Sequence, residues 1–209
     1  MSAYKDYIRD YPTRCLALLD ALDAIESQRV QLPKGLANIR KHNVTYILSL
    51  ASTGIVVPWE RLQKRHRSGD SVQFSESVCK LERLKGSCFI GSEVWPEQAT
   101  GSWKFRKGLK KDSDVDGWAL SAASMTKAKT SSCVLRVLRN ALAHGNISVL
   151  GDPIDQIVFY SKEHDADDAD YQLVVVSVSD FVKFLRYWIE FISVIEIPSM
   201  TFSDLDNAA

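Results

Sequence analysis

The chain has 209 residues, of which 45% are hydrophobic, and its 26 basic and 26 acidic side chains give a formal net charge of zero. This length and apolar content are enough to bury a sizeable core, and we expect residues 1–209 to form a single domain. The balanced charge argues against a protein that coats nucleic acid, which needs many phosphate contacts, and no run approaches the ~18 apolar residues of a membrane span.

The first half of the chain is predicted to be helical. Leucine, isoleucine and phenylalanine recur there at helical spacing, and proline or glycine stands at several of the expected helix ends. The predicted helices cover residues 13–28, with Pro12 in the first turn, residues 38–54, ending at Gly54, a short stretch from Pro58, and residues 74–86, ending at Gly86.

The middle of the chain has weaker patterns. Residues 87–117 hold Pro96 and four glycines without a sustained period, so we expect an irregular loop region there. Residues 118–129 are predicted to form a helix. Ser131 or Ser132 is a suitable N-cap for the helix that follows.

Near the C-terminus the period changes from helix to strand. The segments IDQIVFYS and YQLVVVSVS predict a β-hairpin over residues 154–178. Ser179 or Asp180 is expected to cap a last helix, whose wide apolar arc suits either ordinary core or a share in a dimer interface. Residues 198–209 are expected to form a frayed tail. The predicted fold class is therefore mainly α, a helical bundle with a small β-hairpin insertion before the last helix.

One predicted helix carries a polar strip on an otherwise apolar surface. The run VLRVLRNALAH turns about 100° per residue as a helix, so its valines, its leucines and Ala141 fill one continuous arc. Arg139 lies at the edge of that arc, where a partly solvated guanidinium needs an acidic partner or an anion such as phosphate. The strip surrounds the small Ala143 and consists of Arg136, Arg139, Asn140 and His144.

The same residues also fit an ordinary helix end. A histidine is favoured at the negative end of the helix dipole, Gly145 is a natural stop, and Arg139 can pair with an acid. The spacing by itself is not specific, because Arg61 and His66 repeat it in RLQKRH. We interpret that second pair as a decoy, since only Leu62 anchors it and a turn-like Ser-Gly-Asp follows.

The segment RNALAHGN resembles the signature of the HEPN domains (higher eukaryotes and prokaryotes nucleotide-binding), in which an arginine, a polar residue and a histidine stand near a helix end. Arg139, Asn140 and His144 match that signature residue by residue. The likeness extends more weakly to the other predicted helices, and in outline the chain is similar to a plasmid- and defence-associated branch, so a HEPN-like bundle is expected. In members regulated by adenylylation a tyrosine stands two positions after the histidine, but here that position is Asn146.

The resemblance implies a metal-independent endoribonuclease that acts as a homodimer, with two copies of the motif at one composite site. RNA would be cut by its own 2′-hydroxyl, which DNA lacks. His144 would move protons near neutral pH, Arg139 would stabilise charge on the phosphoryl oxygens, and Asn140 would orient the imidazole or bind a phosphate oxygen. Such an enzyme fits a toxin or defence effector, with an antitoxin or regulatory protein as a further partner.

Two other functions are compatible with the same residues. One is a non-catalytic HEPN module that binds a nucleotide or a partner protein through the polar strip. The other is a helical scaffold whose acidic loop, residues 163–170, binds a basic partner.

Basic residues interleaved with aromatic ones indicate where RNA would bind. In WKFRK, Trp103 and Phe105 alternate with cations, a composition that stacks single-stranded bases and neutralises phosphates. The alternative is that the aromatics anchor a loop to the core and that the cations form a solvated face. The predicted RNA-binding residues are Trp103, Lys104, Arg106 and Lys107, together with Arg136 of the polar strip.

Other chemical sites find little support in the sequence. His42 and His164 have no cysteine or histidine at ligand spacing, so no metal site is predicted. The four cysteines are scattered without a C-x-x-C pair, which indicates reduced thiols, and neither a phosphate-binding loop nor a serine-nucleophile elbow is present. We therefore expect no cofactor. Because MSAYKDYIRDYP contains no apolar leader, we also expect a cytoplasmic protein without a membrane partner.

Overall fold

The structure, a computed structural model, describes residues 7–27, 43–59, 72–110, 114–127, 129–163 and 170–195. Predictions for residues 38–42, for the Arg61 and His66 pair, for most of the acidic loop and for the tail 198–209 fall outside these ranges. Within them the helices are α1 (Tyr7–Ser27), α2 (Asn43–Ala51), α3 (Val72–Gly86), α4 (Val115–Leu120), α5 (Ser131–His144) and α6 (Val178–Ser193).

The described residues also form a five-stranded sheet, in which every pair of neighbours is antiparallel. The order across the sheet is β2, β1, β5, β4, β3. The strands are β1 (Lys104–Leu109), β2 (Ala123–Ser124), β3 (Ile147–Leu150), β4 (Gln156–Lys162) and β5 (Tyr171–Ser177).

The predicted fold class, a mainly α helical bundle with a small β-hairpin insertion, is wrong because the described residues form this five-stranded sheet. The two predicted hairpin strands are present as β4 and β5, but β1 pairs with β5 and β3 pairs with β4. The hairpin is therefore the middle of a larger sheet. β1 lies inside residues 87–117, where the sequence predicts an irregular loop because the segment holds Pro96 and four glycines without a sustained period. KFRKGL also has no β-branched residue that would indicate a strand. β3 is separated from the end of α5 by two residues and has four residues, too few to reveal a period.

Several helix boundaries also differ from the prediction. Pro12 lies inside α1 rather than in its first turn, and α2 does not end at Gly54 but continues through a π-helical turn, Ser52–Val56. In that turn the buried carbonyl of Gly54 accepts a hydrogen bond from the Trp188 indole nitrogen at 2.7 Å. The helix predicted over 118–129 is replaced by α4 and β2. By contrast, the predicted helix that ends at Gly86 is confirmed as part of α3.

The two faces of the sheet pack against different elements. Inner-face side chains join the main core together with the apolar sides of α1, α2, α5 and α6. Outer-face side chains alternate with these along each strand and form a second apolar cluster with residues of α4. The inner face includes Phe105, Ile157, Phe159, Val174 and Val176, and the outer face includes Leu109, Val158, Leu173 and Val175.

The last helix, α6, supplies much of the main core. It begins after Ser177, whose side chain accepts a hydrogen bond from the Asp180 amide, so neither Ser179 nor Asp180 is the N-cap. The wide apolar arc is buried within the chain, which confirms its interpretation as core: the residues are Phe181, Phe184, Leu185, Trp188, Ile189, Ile192 and Ile195. None of the described helices has both the length and the apolar character needed to cross a membrane.

Candidate functional site

The helix α5, called here the motif helix, lies on the inner face of the sheet, and the side chains of its predicted apolar arc are buried there. Its N-cap is Thr130, whose side chain accepts from the Cys133 amide at 3.3 Å. Ser131 is instead buried, within hydrogen-bonding distance of Ser87. Six apolar residues are buried on this helix: Val134, Leu135, Val137, Leu138, Ala141 and Leu142. A helix held this firmly on one side presents the opposite side in a fixed orientation.

The polar strip occupies that opposite side. Arg136, Ala143 and His144 are exposed, whereas Arg139 and Asn140 are half-buried. The Arg139 Nη1 donates a hydrogen bond to the Asn140 Oδ1 at 2.7 Å. The sequence assigns Asn140 to the imidazole or to a phosphate, but in the structure its amide oxygen binds the guanidinium.

This hydrogen bond affects how Arg139 and His144 face each other. At about 100° per residue the two positions differ by about 140° around the helix axis, whereas Asn140 and His144 differ by about 40°. A guanidinium bonded to Asn140 is therefore turned across the strip toward the side that holds His144. In this arrangement the Asn140 amide oxygen accepts from one nitrogen of the Arg139 guanidinium.

His144 is the last residue of the motif helix, and the backbone beyond it is joined to the sheet. Gly145 adopts the left-handed conformation with φ of 71°, which glycine tolerates without strain. The Asn146 N–H donates to the Ala141 carbonyl at 3.0 Å, and the Asn146 carbonyl accepts from the Tyr160 N–H at 3.1 Å. The exposed imidazole thus lies where the helix meets the sheet, next to β3.

The structure separates the residues predicted to bind RNA. Trp103 is only 1% exposed, and its ring centroid lies 4.8 Å from that of Phe89 and 5.0 Å from that of Phe184. Stacking a base on Trp103 would require the indole to leave the core. Phe105 is buried as well, so these two aromatics anchor β1 to the core, which is the alternative interpretation of WKFRK.

The three cations of β1 do not share one surface. Lys104 and Arg106 stand opposite Val175 and Leu173 in register, which places both on the outer face, away from the motif helix. Lys107 stands opposite Gln172 on the inner side and is exposed. Among the predicted RNA-binding residues, only Arg136 lies on the strip itself.

Three outer-face residues near these cations went unrecognised in the sequence. Tyr160 and Lys162 follow each other at period two on β4, and Tyr171 begins β5. That alternation could have drawn attention to them, but cross-strand register, which brings them next to each other, is not visible in one sequence.

In the described part of the chain, no group of three or more histidine, cysteine or acidic residues is placed to hold a metal ion.

Comparison with known proteins places these features in a family. A sequence-family profile described as HEPN pEK499 p136 matches residues 1–199. No curated protein and no solved structure gives a significant match. HEPN domains generally serve as ribonucleases or nucleotide-binding modules. Since the profile covers nearly the whole chain, including the motif helix, the chain belongs to the HEPN pEK499 p136 family, in a plasmid-associated branch of the HEPN domains.

Proposed function

We propose that this protein is a metal-independent endoribonuclease of HEPN type that cuts cytoplasmic RNA as a toxin or defence effector. The observation that carries the proposal is the hydrogen bond from Arg139 to Asn140 on the strip that ends in the exposed His144. A fixed guanidinium and an accessible imidazole are the two groups needed for phosphoryl transfer by acid–base chemistry.

The proposed reaction uses the 2′-hydroxyl of RNA as nucleophile. One His144 removes the 2′-proton as the 2′-oxygen bonds to phosphorus, and Arg139 stabilises the charge that grows on the phosphoryl oxygens. The bond to the 5′-oxygen breaks, and that oxygen takes a proton from a second imidazole. The products are a 2′,3′-cyclic phosphate and a 5′-hydroxyl.

The second imidazole is proposed to come from a second copy of the chain. Acid and base act on opposite sides of the scissile bond, and the strip of one chain carries a single histidine. A twofold axis past the exposed Ala143 would bring two strips together in an isologous contact. Each protomer would then supply one Arg139 and one His144 to a shared site.

The test is cleavage of RNA by the purified protein in the presence of EDTA, with identification of the new ends. We expect cyclic phosphate and 5′-hydroxyl ends, loss of cutting when the nucleotide before the cut is 2′-deoxy, and a rate that falls at both acidic and alkaline pH because one imidazole must be neutral and the other protonated. Products with 5′-phosphate ends, or activity only after a divalent metal is added, would show that water attacks instead.

Variants connect this activity to the strip. Arg139→Ala and His144→Ala are expected to abolish cleavage, while exchange of the exposed His144 changes the free energy of unfolding by about 0.5 kcal/mol or less. Arg61→Ala and His66→Ala, which repeat the spacing elsewhere in the sequence, are the matched controls and should cut normally. A protein that binds nucleotide or a partner through the strip but never cuts RNA would instead be a non-catalytic HEPN module.

A further inference from the structure

The strand β3 lies at one edge of the sheet, with β4 on one side and no described strand on the other. The Tyr160 N–H donates to the Asn146 carbonyl at 3.1 Å, so the backbone groups of Asn146 point toward β4. Backbone groups alternate in direction along an antiparallel strand, so those of Ile147 and Val149 point away from the sheet. These two residues therefore form the open edge of β3.

Three of the four polar backbone groups at this edge have no partner among the described residues. The Ile147 N–H donates to the Gly145 carbonyl at 2.9 Å. The Ile147 carbonyl and the N–H and carbonyl of Val149 form no hydrogen bond within the described ranges. The Val149 side chain is also 39% exposed. An open strand edge with an accessible apolar side chain suits the addition of a further strand.

The turn that follows β3 borders an apolar cavity on the inner side of the sheet. The cavity has a volume of about 390 Å³, and Ile154 of the turn lines it while remaining 37% exposed. The other apolar lining residues belong to α1, α2 and α6: they are Leu22, Ile47, Val178 and Val182. Val149 stands opposite the inner-face residue Ile157, so its side chain points to the same side of the sheet. Inward side chains of an added strand would therefore lie on the side of this cavity.

The surroundings of β3 are acidic. Residues 145–161 contain two carboxylates, those of Asp152 and Asp155, and neither lysine nor arginine. The helix α4 and its N-cap add Asp116 and Asp114. The Ser148 hydroxyl donates to the Asp116 carboxylate at 3.1 Å, which places that charge beside the strand. All four aspartates are exposed, and none forms an ion pair with another described residue.

Cations on neighbouring elements do not neutralise this charge. Lys183 and Arg186 of α6 pair with aspartates of α6 and α1. Lys162 lies on β4 beyond the residues that pair with β3, and it has an interaction of its own. Arg106 lies on β1, three strand spacings or about 14 Å away. His144 precedes the opposite end of β3. The end of β3 that leads into the turn therefore repels a polyanion, or a second copy of the same edge, and attracts a basic partner.

We propose that the edge of β3 binds an extended segment of a partner protein whose side chains follow the order basic, apolar, any, apolar, basic. In an antiparallel arrangement the fourth residue of this segment stands opposite Val149. It donates its N–H to the Val149 carbonyl and accepts from the Val149 N–H. Its side chain and that of the second residue, which stands opposite Gly151, point inward to the side of the cavity.

The two basic residues of the segment point outward, because side chains alternate along a strand. The fifth residue stands opposite Ser148 and meets Asp116, and the first residue stands opposite Asp152. Main-chain hydrogen bonds supply affinity in this arrangement, and the cavity and the carboxylates select the side chains. This binding needs no cleavage of RNA and is independent of the proposed ribonuclease.

The test is fluorescence anisotropy of the full chain with a labelled, end-blocked peptide of sequence Gly-Arg-Leu-Thr-Val-Arg-Gly. We expect saturable binding that weakens at least about 10-fold when both arginines are replaced by glutamate, and also when the valine nitrogen is methylated and can no longer donate. The proposal fails if the first peptide shows no saturable binding up to about 1 mM, or if the glutamate peptide binds equally well.

A substitution in the protein locates the bound peptide. Val149→Pro removes an N–H that points away from β4, so the pairing of β3 with β4 is retained while the edge is blocked. It should weaken binding at least about 10-fold. Val149→Thr keeps the N–H and a side chain of similar shape, and it should bind within about threefold of the wild type. Equal binding by the wild type and by a proline variant that melts like it would overturn the proposal.

The charge component has its own pair of variants. Asp116→Asn should weaken binding of the arginine peptide by about 2- to 5-fold at low salt, and this difference should shrink as salt is added. Glu190→Gln removes an equal charge from the exposed side of α6 and should leave the affinity unchanged. Equal losses in the two variants would indicate general attraction to the protein and would contradict the assignment to this edge.

Light scattering distinguishes a partner segment from a second copy of the chain at the edge of β3. Val149→Pro should leave the oligomeric state unchanged, because the proposed dimer forms through the strip around Ala143. A proline variant that is monomeric at a concentration where the wild type is dimeric would show that a second copy occupies this edge, and the proposal would be wrong.

Discussion

The hydrogen bond between Arg139 and Asn140 makes a prediction at the level of single residues. If Asn140 acts by turning the guanidinium, Asn140→Ala should lower the cleavage rate by about 10- to 100-fold. In an Arg139→Lys background, which keeps a cation but loses the planar guanidinium that Asn140 holds, the same exchange should have little further effect, because residues that act through one another are not additive. A double-mutant cycle of kcat measures this. Additive losses would show that Asn140 contacts the RNA or the imidazole by itself.

The Asp180 carboxylate gives a second prediction at this scale, on stability. Burial raises its pKa, but hydrogen bonds from Ser102 and Lys183 outweigh burial, and the pKa is lowered overall. Because the pKa of Asp180 is lower in the folded protein, the ionised carboxylate stabilises the fold at every pH above its pKa in the unfolded chain, about 3.9. This contribution is lost as the pH falls through the pKa of the folded protein. Asp180→Asn should therefore cost about 1–2 kcal/mol at pH 7 and progressively less below about pH 4.

Denaturant titration of Asp180→Asn at several pH values checks this dependence. Glu190→Gln, on the exposed side of the same helix, is the control and should show a difference that is small at every pH. A cost for Asp180→Asn that stays constant from neutral pH to about pH 2 would contradict the assignment.

At the level of elements, the end of the motif helix depends on one backbone conformation. Gly145 has φ of 71°, and a Cβ there would meet no atom within 4 Å, so replacement by alanine tests conformation alone. Gly145→Ala should destabilise the protein by about 1 kcal/mol. Gly86→Ala, at the end of α3 and equally unobstructed but without positive φ, should be neutral or stabilising by up to about 1 kcal/mol. Thermal melting of the two variants compares them, and equal shifts would contradict the prediction.

Elements with a strong local period could be predicted from the sequence. The apolar arc of the motif helix, the stop at Gly145 and the strands β4 and β5 follow from side-chain spacing within one segment. β1 could not be predicted in this way, because its register with β5 and the burial of Phe105 are tertiary.

For the candidate site too, features set by local spacing could be predicted, and features set by tertiary geometry could not. The members of the polar strip were identifiable because helical spacing places them on one side of one segment, and the family motif includes Arg139, Asn140 and His144. The hydrogen bond between Arg139 and Asn140 depends on geometry between side chains, which one sequence does not show. Trp103 was predicted to bind RNA because it alternates with basic residues. That alternation does not reveal whether the indole is buried or exposed, and in the structure it is buried.

For the molecule as a whole, the proposed mechanism predicts a symmetric dimer at micromolar concentration. Ala143 is exposed between Arg139 and His144 on the strip, so a large charged side chain there should block close approach of two motif helices without disturbing the core. Ala143→Arg should be a folded monomer by light scattering and should not cut RNA, whereas Ala143→Ser should remain dimeric and active. A wild-type monomer that still cuts RNA would rule this assembly out.

The short junction between the motif helix and the sheet also has a consequence for motion. Only Gly145 and Asn146 separate the helix from β3, and Asn146 is hydrogen-bonded to Ala141 on one side and to Tyr160 on the other. The end of the motif helix cannot move away from the sheet without breaking the hydrogen bond from the Tyr160 N–H to the Asn146 carbonyl. The backbone of His144 therefore cannot move independently of the sheet. The Tyr160 amide hydrogen should accordingly exchange with solvent only when the helix end leaves the sheet, with protection that matches the other amides of the β3–β4 pair. The backbone that carries the imidazole would then be displaced only on the slow timescale at which this part of the sheet opens.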